Sequence, residues 1–296
     1  RSERMEALKE GGMFTSSGFG LFRRNRTRSL LAITEVALAV VLLVGGGLMI
    51  NSFANLSGID PGYDPSNVLT FRVDLPAARY PDIIQKRLFY DQLLDRVDTM
   101  GGVTAAGVVN ILPLSQNNMR IMAIMRGDGD SEQRVTADVR IVSPGYFESM
   151  RIPLVDGRLF TDQDREGQQR VLLVNETFAK QYYPDESPIN REFGAGPAGA
   201  SLIVGIVGDV HHQGLDTEVQ PELYFSHQQA QGGMGDMPMT LAIRTAGDPL
   251  ILVPEIRRTV LDMDSSLTID NVRSMESLLY SSIAEPRFYA VLLGVF

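Results

Sequence analysis

From Leu30 to Ile50 the chain reads LLAITEVALAVVLLVGGGLMI, and fifteen of those residues, Val36 to Ile50, are apolar or glycine without a break. At about 1.5 Å per residue, a helix of this length spans about 30 Å, the hydrocarbon thickness of a bilayer. Arg23, Arg24, Arg26 and Arg28 stand just ahead of it, and basic residues flanking one end of an apolar span hold that end in the cytoplasm. The expectation is a retained transmembrane helix over 29–52, with the chain that follows outside the cytoplasm. Two other readings compete. Ser52-Phe53-Ala54 has the small-x-small form of a signal-peptide cleavage site, but the run and the leader before it are long for a signal peptide. A buried core helix seldom stays apolar on every face for so long.

Details inside the span are ambiguous. Glu35 lies about one turn from the cytoplasmic end, where a carboxylate reaching the interface competes with a proton relay. Gly45-Gly46-Gly47 lowers helix propensity but lets another helix approach closely.

Charge divides the chain along the same line. Residues 1–34 carry a net +4 and residues 57–284 a net −12, against −9 for the whole. An acidic outer domain argues against nucleic acid as a partner. With no cysteine anywhere, the domain must fold on its core alone, without disulfides or thiolate-bound metal. Residues 57–284 suffice for such a core, expected as two subdomains.

The start, Arg-Ser-Glu without an initiator methionine, suggests a piece of a longer protein. Met5–Glu10 has a short helical pattern ended by Gly11-Gly12, and residues 13–28 read as a basic amphipathic segment on the inner leaflet. Asp60-Pro61-Gly62-Tyr63-Asp64-Pro65 is turn chemistry at the membrane exit.

A strand over 68–74, a helix over 81–100 and a strand over 103–110 make a β-α-β unit. The helix is expected to bury Ile84, Leu88, Leu93, Leu94 and Val97. Strands over 119–126 and 134–142 pair around the turn Gly127–Asp130, and Ser143 caps a short helix over 143–150. A second unit follows, with a strand over 171–175, a helix over 176–183 and a strand over 202–207. Short strands at 223–225 and 239–244, a helix over 249–263, a strand over 267–272 and a helix over 274–283 complete the domain. In the helix over 249–263, Leu252, Ile256, Val260 and Leu261 are expected to face inward. Phe288–Phe296 reads as the opening of a second membrane helix. The fold class is mixed α/β (α+β), with two βαβ-containing subdomains after one membrane helix.

Residues that could carry chemistry do not assemble into a motif. Gly194-Ala195-Gly196-Pro197-Ala198-Gly199 matches Gly-x-Gly-x-x-Gly, but a strand rather than a helix follows, and Pro197 removes an N–H from the loop. Asp209, His211 and His212 cluster, with His227 further on, yet no helix-spaced pair exists to chelate a metal. Asp162/Asp164 and Asp60/Asp64 lack the glycine and closing glutamate of a calcium loop. Met234, Met237 and Met239 sit in a Gly-rich stretch that reads as a loop, with a soft contact surface as the alternative. No nucleophile elbow or phosphate-binding loop occurs. The reading is of no enzyme, and no residue is assigned as catalytic, cofactor-binding or metal-binding.

The ordered short motifs resemble the FtsX-like permeases with a MacB-like periplasmic core domain, and more narrowly their duplicated orphan permeases. They are LKEGG (8–12), RSLLAITEVALAVVLLVGGGLMINSF (28–53), DPGYDPSNVLT (60–70), FYDQLLDRV (89–97), SPGYFESMRIPLVDGRLFTDQD (143–164), VLLVNETFAKQYYPDESPI (171–189), IVGIVGDVHHQGLD (203–216), PELYF (221–225) and RFYAVLLGVF (287–296). The resemblance implies four parts. These are a cytoplasmic linker (1–28), a membrane helix (29–52), a periplasmic core domain (57–284) and the start of a second membrane helix (287–296). It further implies an inner-membrane permease, a dimer or pseudo-dimer of permease halves, working with a cytoplasmic ATP-binding-cassette subunit. The outer domain would transmit ATP-driven motion and could meet a periplasmic partner. A scaffold that regulates a cell-wall hydrolase is the alternative the family also implies.

Overall fold

The computed structural model describes residues 18–115, 117–126, 132–194 and 200–282. The expected helix at 5–10, the turn at 127–130, most of the Gly-rich loop and the expected segment 288–296 lie outside them. The chain falls into two compact units, one of residues 1–54 with 286–296 and one of residues 55–285.

Helix α1 (Gly18–Ser57) runs without interruption through the apolar stretch. Residues 18–28, expected as a separate surface segment, continue the same helix. Among the described residues, Ser29–Leu48 is the only stretch long and apolar enough to cross a membrane. Its large apolar side chains, Leu31, Val36 and Leu43 among them, are exposed, as a lipid-facing helix requires and a core helix does not.

The second unit is a mixed α/β domain, as expected, built on one continuous sheet. In chain order its elements are β1 (Val68–Val73), α2 (Ile83–Asp98), β2 (Val103–Val109), β3 (Arg120–Arg126), β4 (Glu132–Val142) and α3 (Gly145–Met150). There follow β5 (Leu154–Gly157), β6 (Val171–Asn175), α4 (Glu176–Tyr182), β7 (Glu192–Phe193), β8 (Ser201–Val207) and β9 (Glu222–Ser226). The last are β10 (Met239–Thr245), α5 (Val253–Met263), β11 (Ile269–Ser274) and a final helix α6 over 275–282. The spatial order is β11-β1-β10-β2-β4-β9-β6-β8-β5, with β3 beside β4 and β7 beside β8.

Each expected βαβ unit forms, in two different ways. β1 and β2 run parallel but are separated by β10, which is antiparallel to both. β6 and β8 are parallel neighbours, and α4 belongs to the connection between them. The units share one sheet, joined where β2 meets β4 through the single pair Val109↔Val142. This leaves two wings, β11-β1-β10-β2 and β4-β9-β6-β8-β5.

Alternation sorts the side chains. Leu69, Phe71 and Val73 of β1, with Leu241 and Ile243 of β10, face α2 and α5. β6 is buried at every position, Leu172 and Val174 toward α4 and Val171 and Leu173 toward the opposite layer, as a strand covered on both faces must be. α3 lies so close to β2 that a Cβ on Gly107 would meet the Tyr146 nitrogen at 2.3 Å, and one on Gly145 the Ala106 carbonyl at 2.1 Å.

Some expectations change. In α2, Ile84 and Leu88 are more than half exposed, and Phe89, Tyr90, Leu93 and Val97 are buried. The helix turns its larger rings inward, and the Tyr90 hydroxyl finds a partner there, donating to Val73 O at 2.8 Å. Leu261 of α5 is likewise 43% exposed while Ile256 and Val260 face in. Ser143 does not cap α3. Pro144 occupies the cap position, and Ser143 Oγ instead accepts from Val108 N at 2.9 Å, tying α3 to β2. β5, an exposed edge strand, and two-residue β7 had no apolar pattern to announce them.

Candidate functional site at the chain's entry to the domain

Three of the recognisable sequence stretches meet where the chain enters the second unit. α1 ends at Ser57, and residues 60–67 then lie against the ends of α3 and β8. Asp64 N donates to Met150 O at 3.0 Å, His211 N to Pro61 O at 3.0 Å, and Gly208 N to Pro153 O at 2.9 Å. Gly62, at φ +82°, sits where a Cβ would lie 1.8 Å from the Asp209 carbonyl, so only glycine fits both the turn and the contact. Asp60 and Asp64 form local turns, accepting from Gly62 N and Ser66 N at 2.9 Å each.

Two arginines fasten this entry. Arg244 of β10, buried beneath it, donates to Asp64 O at 2.6 Å, Ser66 O at 2.8 Å and Ser149 O at 2.8 Å. Burial lowers its pKa, with the Asp64 carboxylate opposing that shift. Arg151, in the left-handed conformation that ends α3, pairs with Asp64 Oδ2 at 2.7 Å. Burial raises the Asp64 pKa, but hydrogen bonds from Ser66, the charge of Arg244 and the hydrogen bond from Arg151 outweigh it and hold the carboxyl below its usual range. An open cleft of about 630 Å³ borders the entry, lined by Asp60, Asp64, Arg151, Glu176, Asp209 and His211 among others.

Behind the loop 208–217 lies a charged network that sequence reasoning missed. Asp138 and Arg140 alternate on β4 and face Glu222 and Tyr224 on parallel β9. Arg140, fully buried, places Nη2 3.1 Å from Glu222 Oε1, and its Nε donates to His212 Nδ1 at 3.3 Å. The Tyr224 hydroxyl donates to Glu222 Oε2 at 2.6 Å. Asp138 accepts from Arg120, Asn118 and Gln213 at 2.7, 2.8 and 3.2 Å. Burial pushes the Asp138 pKa up, yet the bonds from Arg120 and Asn118 prevail and hold it below the usual carboxylate range. Burial pushes the His212 pKa down, with Glu222 opposing. A neutral ring protonated at Nε2 suits its neighbours, since Nδ1 accepts from Arg140 and Nε2 lies 3.3 Å from Glu222. The signal in the sequence was the Asp-x-Arg alternation of β4, which reads equally well as a solvent face until the 208–217 loop covers it.

The residues singled out from sequence go to separate places. Asp209 accepts from Thr177 N and Oγ1 at 2.9 and 2.8 Å, holding the first turn of α4. His211 Nδ1 lies 3.1 Å from Thr217 O and ties its own loop. His212 points into the network. His227 Nε2 lies 2.7 Å from Asp91 Oδ1, joining the end of β9 to α2. Asp164 takes a bidentate pair from Arg158 at 2.7 and 2.8 Å. Met234 and Met237 pack against the α2/α5 core and Met239 is buried in β10, so this stretch serves as packing. Among the described residues no three His, Asp or Glu side chains converge as a metal site.

Several solved structures resemble the fold in part. The periplasmic region of MacB from Actinobacillus actinomycetemcomitans is 15% identical, covering 74% of this chain and 94% of its own, with a TM-score of 0.47. The extracellular domain of the noncanonic ABC-type transporter YknZ from Gram-positive bacteria is 15% identical, covering 69% and 100%, with a TM-score of 0.46. A domain of a putative permease protein from Porphyromonas gingivalis is 11% identical, covering 72% and 92%, with a TM-score of 0.43. At these TM-scores none of the three fixes how this chain's elements are arranged. No curated protein matches the chain. Residues 29–253 do match the family described as the MacB-like periplasmic core domain, and the chain belongs to that family.

Proposed function

We propose that this chain is the membrane-anchored, extracytoplasmic core-domain part of an ABC-type permease, and that the domain works by receiving and passing on motion from its membrane helix. The observation that carries this is the entry site. α1 continues as helix to Ser57, and within a few residues the chain is fastened to the domain by Arg244, Arg151 and the Pro61–His211 contact. A segment fastened this close after the helix would transmit displacement, whereas a slack tether would dissipate it. The charged and histidine side chains near the entry all hold structure, which supports a binding and moving domain over a catalytic one. The motion would come from a cytoplasmic ATP-binding-cassette subunit supplied in trans, with 1–28 inside, 29–52 in the bilayer and 57–284 outside.

Two experiments test this. Cysteines introduced at Ser16 and Ser131 should label from opposite sides of the membrane, and labelling from one side removes the topology. A flexible Gly-Ser insertion after Ser57 in the full-length permease should abolish export while leaving the folded domain intact. Export that survives the insertion overturns the mechanical reading. A pull-down that retains a cell-wall hydrolase and no ATPase would favour the scaffold alternative.

A further inference from the structure

The face of the first wing turned away from α2 and α5 holds a cleft of about 380 Å³, partly roofed by α6. Alternation puts it there. Leu69, Phe71 and Val73 point to the core, so Thr70 and Arg72 of β1 point to the other side, as does Thr240 of β10. Asn110, Asn271 and Arg273 add to the polar lining, and among the described residues no aspartate or glutamate lines the cleft.

We propose that this cleft binds a small molecule through an oxyanion group, a carboxylate or a phosphate. Two guanidinium groups open into it. Arg72 keeps one nitrogen on Asp74, Nε to Oδ1 at 2.6 Å, and its side chain remains 39% exposed. Arg273 is exposed, and no described residue hydrogen-bonds or pairs with its guanidinium. Guanidinium forks match carboxylate and phosphate geometry, and amide and hydroxyl donors such as those of Asn271 and Thr240 satisfy the remaining oxygens. The edge strand is shaped for the purpose. β11 has one more residue than β1 between the pairs Thr70↔Arg273 and Arg72↔Asp270, and Asn271 in that bulge is held at φ +53°. Bulges re-aim side chains, and a non-glycine residue held in the left-handed region marks a position that the surrounding structure enforces. The chain as a whole is −9, so two guanidinium groups with no acid among the described lining residues stand out against a field that repels anions. The volume lies at the small end of the range for ligand sites.

A soluble carboxylate or phosphate compound and an anionic lipid headgroup share this chemistry, and titration separates them. The full chain in phosphatidylcholine nanodiscs would be titrated calorimetrically with succinate, inorganic phosphate and short-chain phosphatidylglycerol. Saturable binding of succinate or phosphate assigns a soluble ligand, and binding of phosphatidylglycerol alone assigns a headgroup. Either way Arg273→Gln and Arg72→Gln should weaken binding about tenfold, the loss of one charge-assisted contact. Arg257→Gln, which removes the same charge from α5, should leave it unchanged. Asn271→Gly relaxes the backbone while removing the amide, so folding is spared and only affinity falls. The proposal is overturned if none of the three probes binds saturably, or if Arg257→Gln weakens binding as much as Arg273→Gln.

Discussion

The wing of β11, β1, β10 and β2 is antiparallel throughout, and its face toward α2 and α5 is filled by side chains such as Leu69, Phe71, Leu241 and Ile243. The wing of β4, β9, β6 and β8 contains two parallel pairs and buries Asp138, Arg140 and Glu222 beside its apolar clusters. The first is stabilised by removing apolar area from water, a contribution that degrades by increments as atoms are removed. The second depends on partners. A buried charge costs several kcal/mol to desolvate, roughly, and is tolerable only while its counter-charge is in place. The contrast is between the apolar face of one wing, which loses stability by increments, and a buried charged cluster that fails when a single partner is lost. The first wing's own buried charge, Arg244, lies on its other face.

Breaking the charged wing should have the largest effect. Arg140→Ala leaves Glu222 buried without its cation and should cost about 3–5 kcal/mol in chemical denaturation followed by near-ultraviolet circular dichroism. Arg140→Met combined with Glu222→Leu should recover about half of that loss or more, because it removes both charges together. A double variant as unstable as the single one would show that the network supplies net stability. In the apolar wing, Leu93→Ala should cost about 3 kcal/mol through lost burial and the cavity left behind, with no recovery available from a second substitution.

Acid should separate the wings further. Burial lowers the pKa of His212 in the folded protein, so the unfolded chain takes up this proton first as pH falls. The stability contributed by the neutral ring is complete above the unfolded value of about 6.5 and declines as pH drops from there toward the folded value. Asp138, held below its usual range, acts in a lower window. Its contribution is present above about 3.9 and is lost as pH falls through the folded value. Amide exchange, corrected for its intrinsic pH dependence, should therefore show protection falling in β4 and β9 between pH 7 and pH 5 while β1 and β10 hold. Equal loss in both wings would remove His212 as the cause.

Much of the secondary structure was legible because it rests on local periodicity. β6 falls on the expected residues 171–175, and most other elements shift by a residue or two at their ends. What was not legible rests on contacts distant in sequence. β10 inserts between β1 and β2, though well over a hundred residues separate it from either, and no local pattern encodes that. The apolar arc expected of α2 included Ile84 and Leu88, and the Tyr90 hydroxyl's bonds to Val73 O and Met239 N are among the distant contacts that turn the helix otherwise. The entry site was visible as turn chemistry at Asp60–Pro65, but its fastening by Arg244, about 180 positions away, was not. The burial of Asp138 and Arg140 was not legible because the loop that covers them lies some seventy residues downstream.

The smallest expected effects come from the adjacent histidines, which sequence treats as one feature and the structure separates. His212 lies inside the charged wing and accepts from Arg140 Nε. His212→Ala leaves that N–H buried and unsatisfied, and should cost about 1–3 kcal/mol. His211 is half-buried, and among the described residues its ring has one hydrogen-bond partner, Thr217 O within its own loop. The contact that ties this position to the chain's entry uses the backbone, His211 N to Pro61 O, and alanine keeps it. His211→Ala should therefore cost about 1 kcal/mol or less and, on the proposed mechanical reading, leave export by the full-length permease at its original level. Loss of export in His211→Ala with the domain still folded would give the imidazole a role in the cleft beside Asp209 and Glu176, and would count against a purely mechanical entry site. Loss of export in His212→Ala alone, matched by a fall in denaturation midpoint, would instead place the defect in the charged wing's folding.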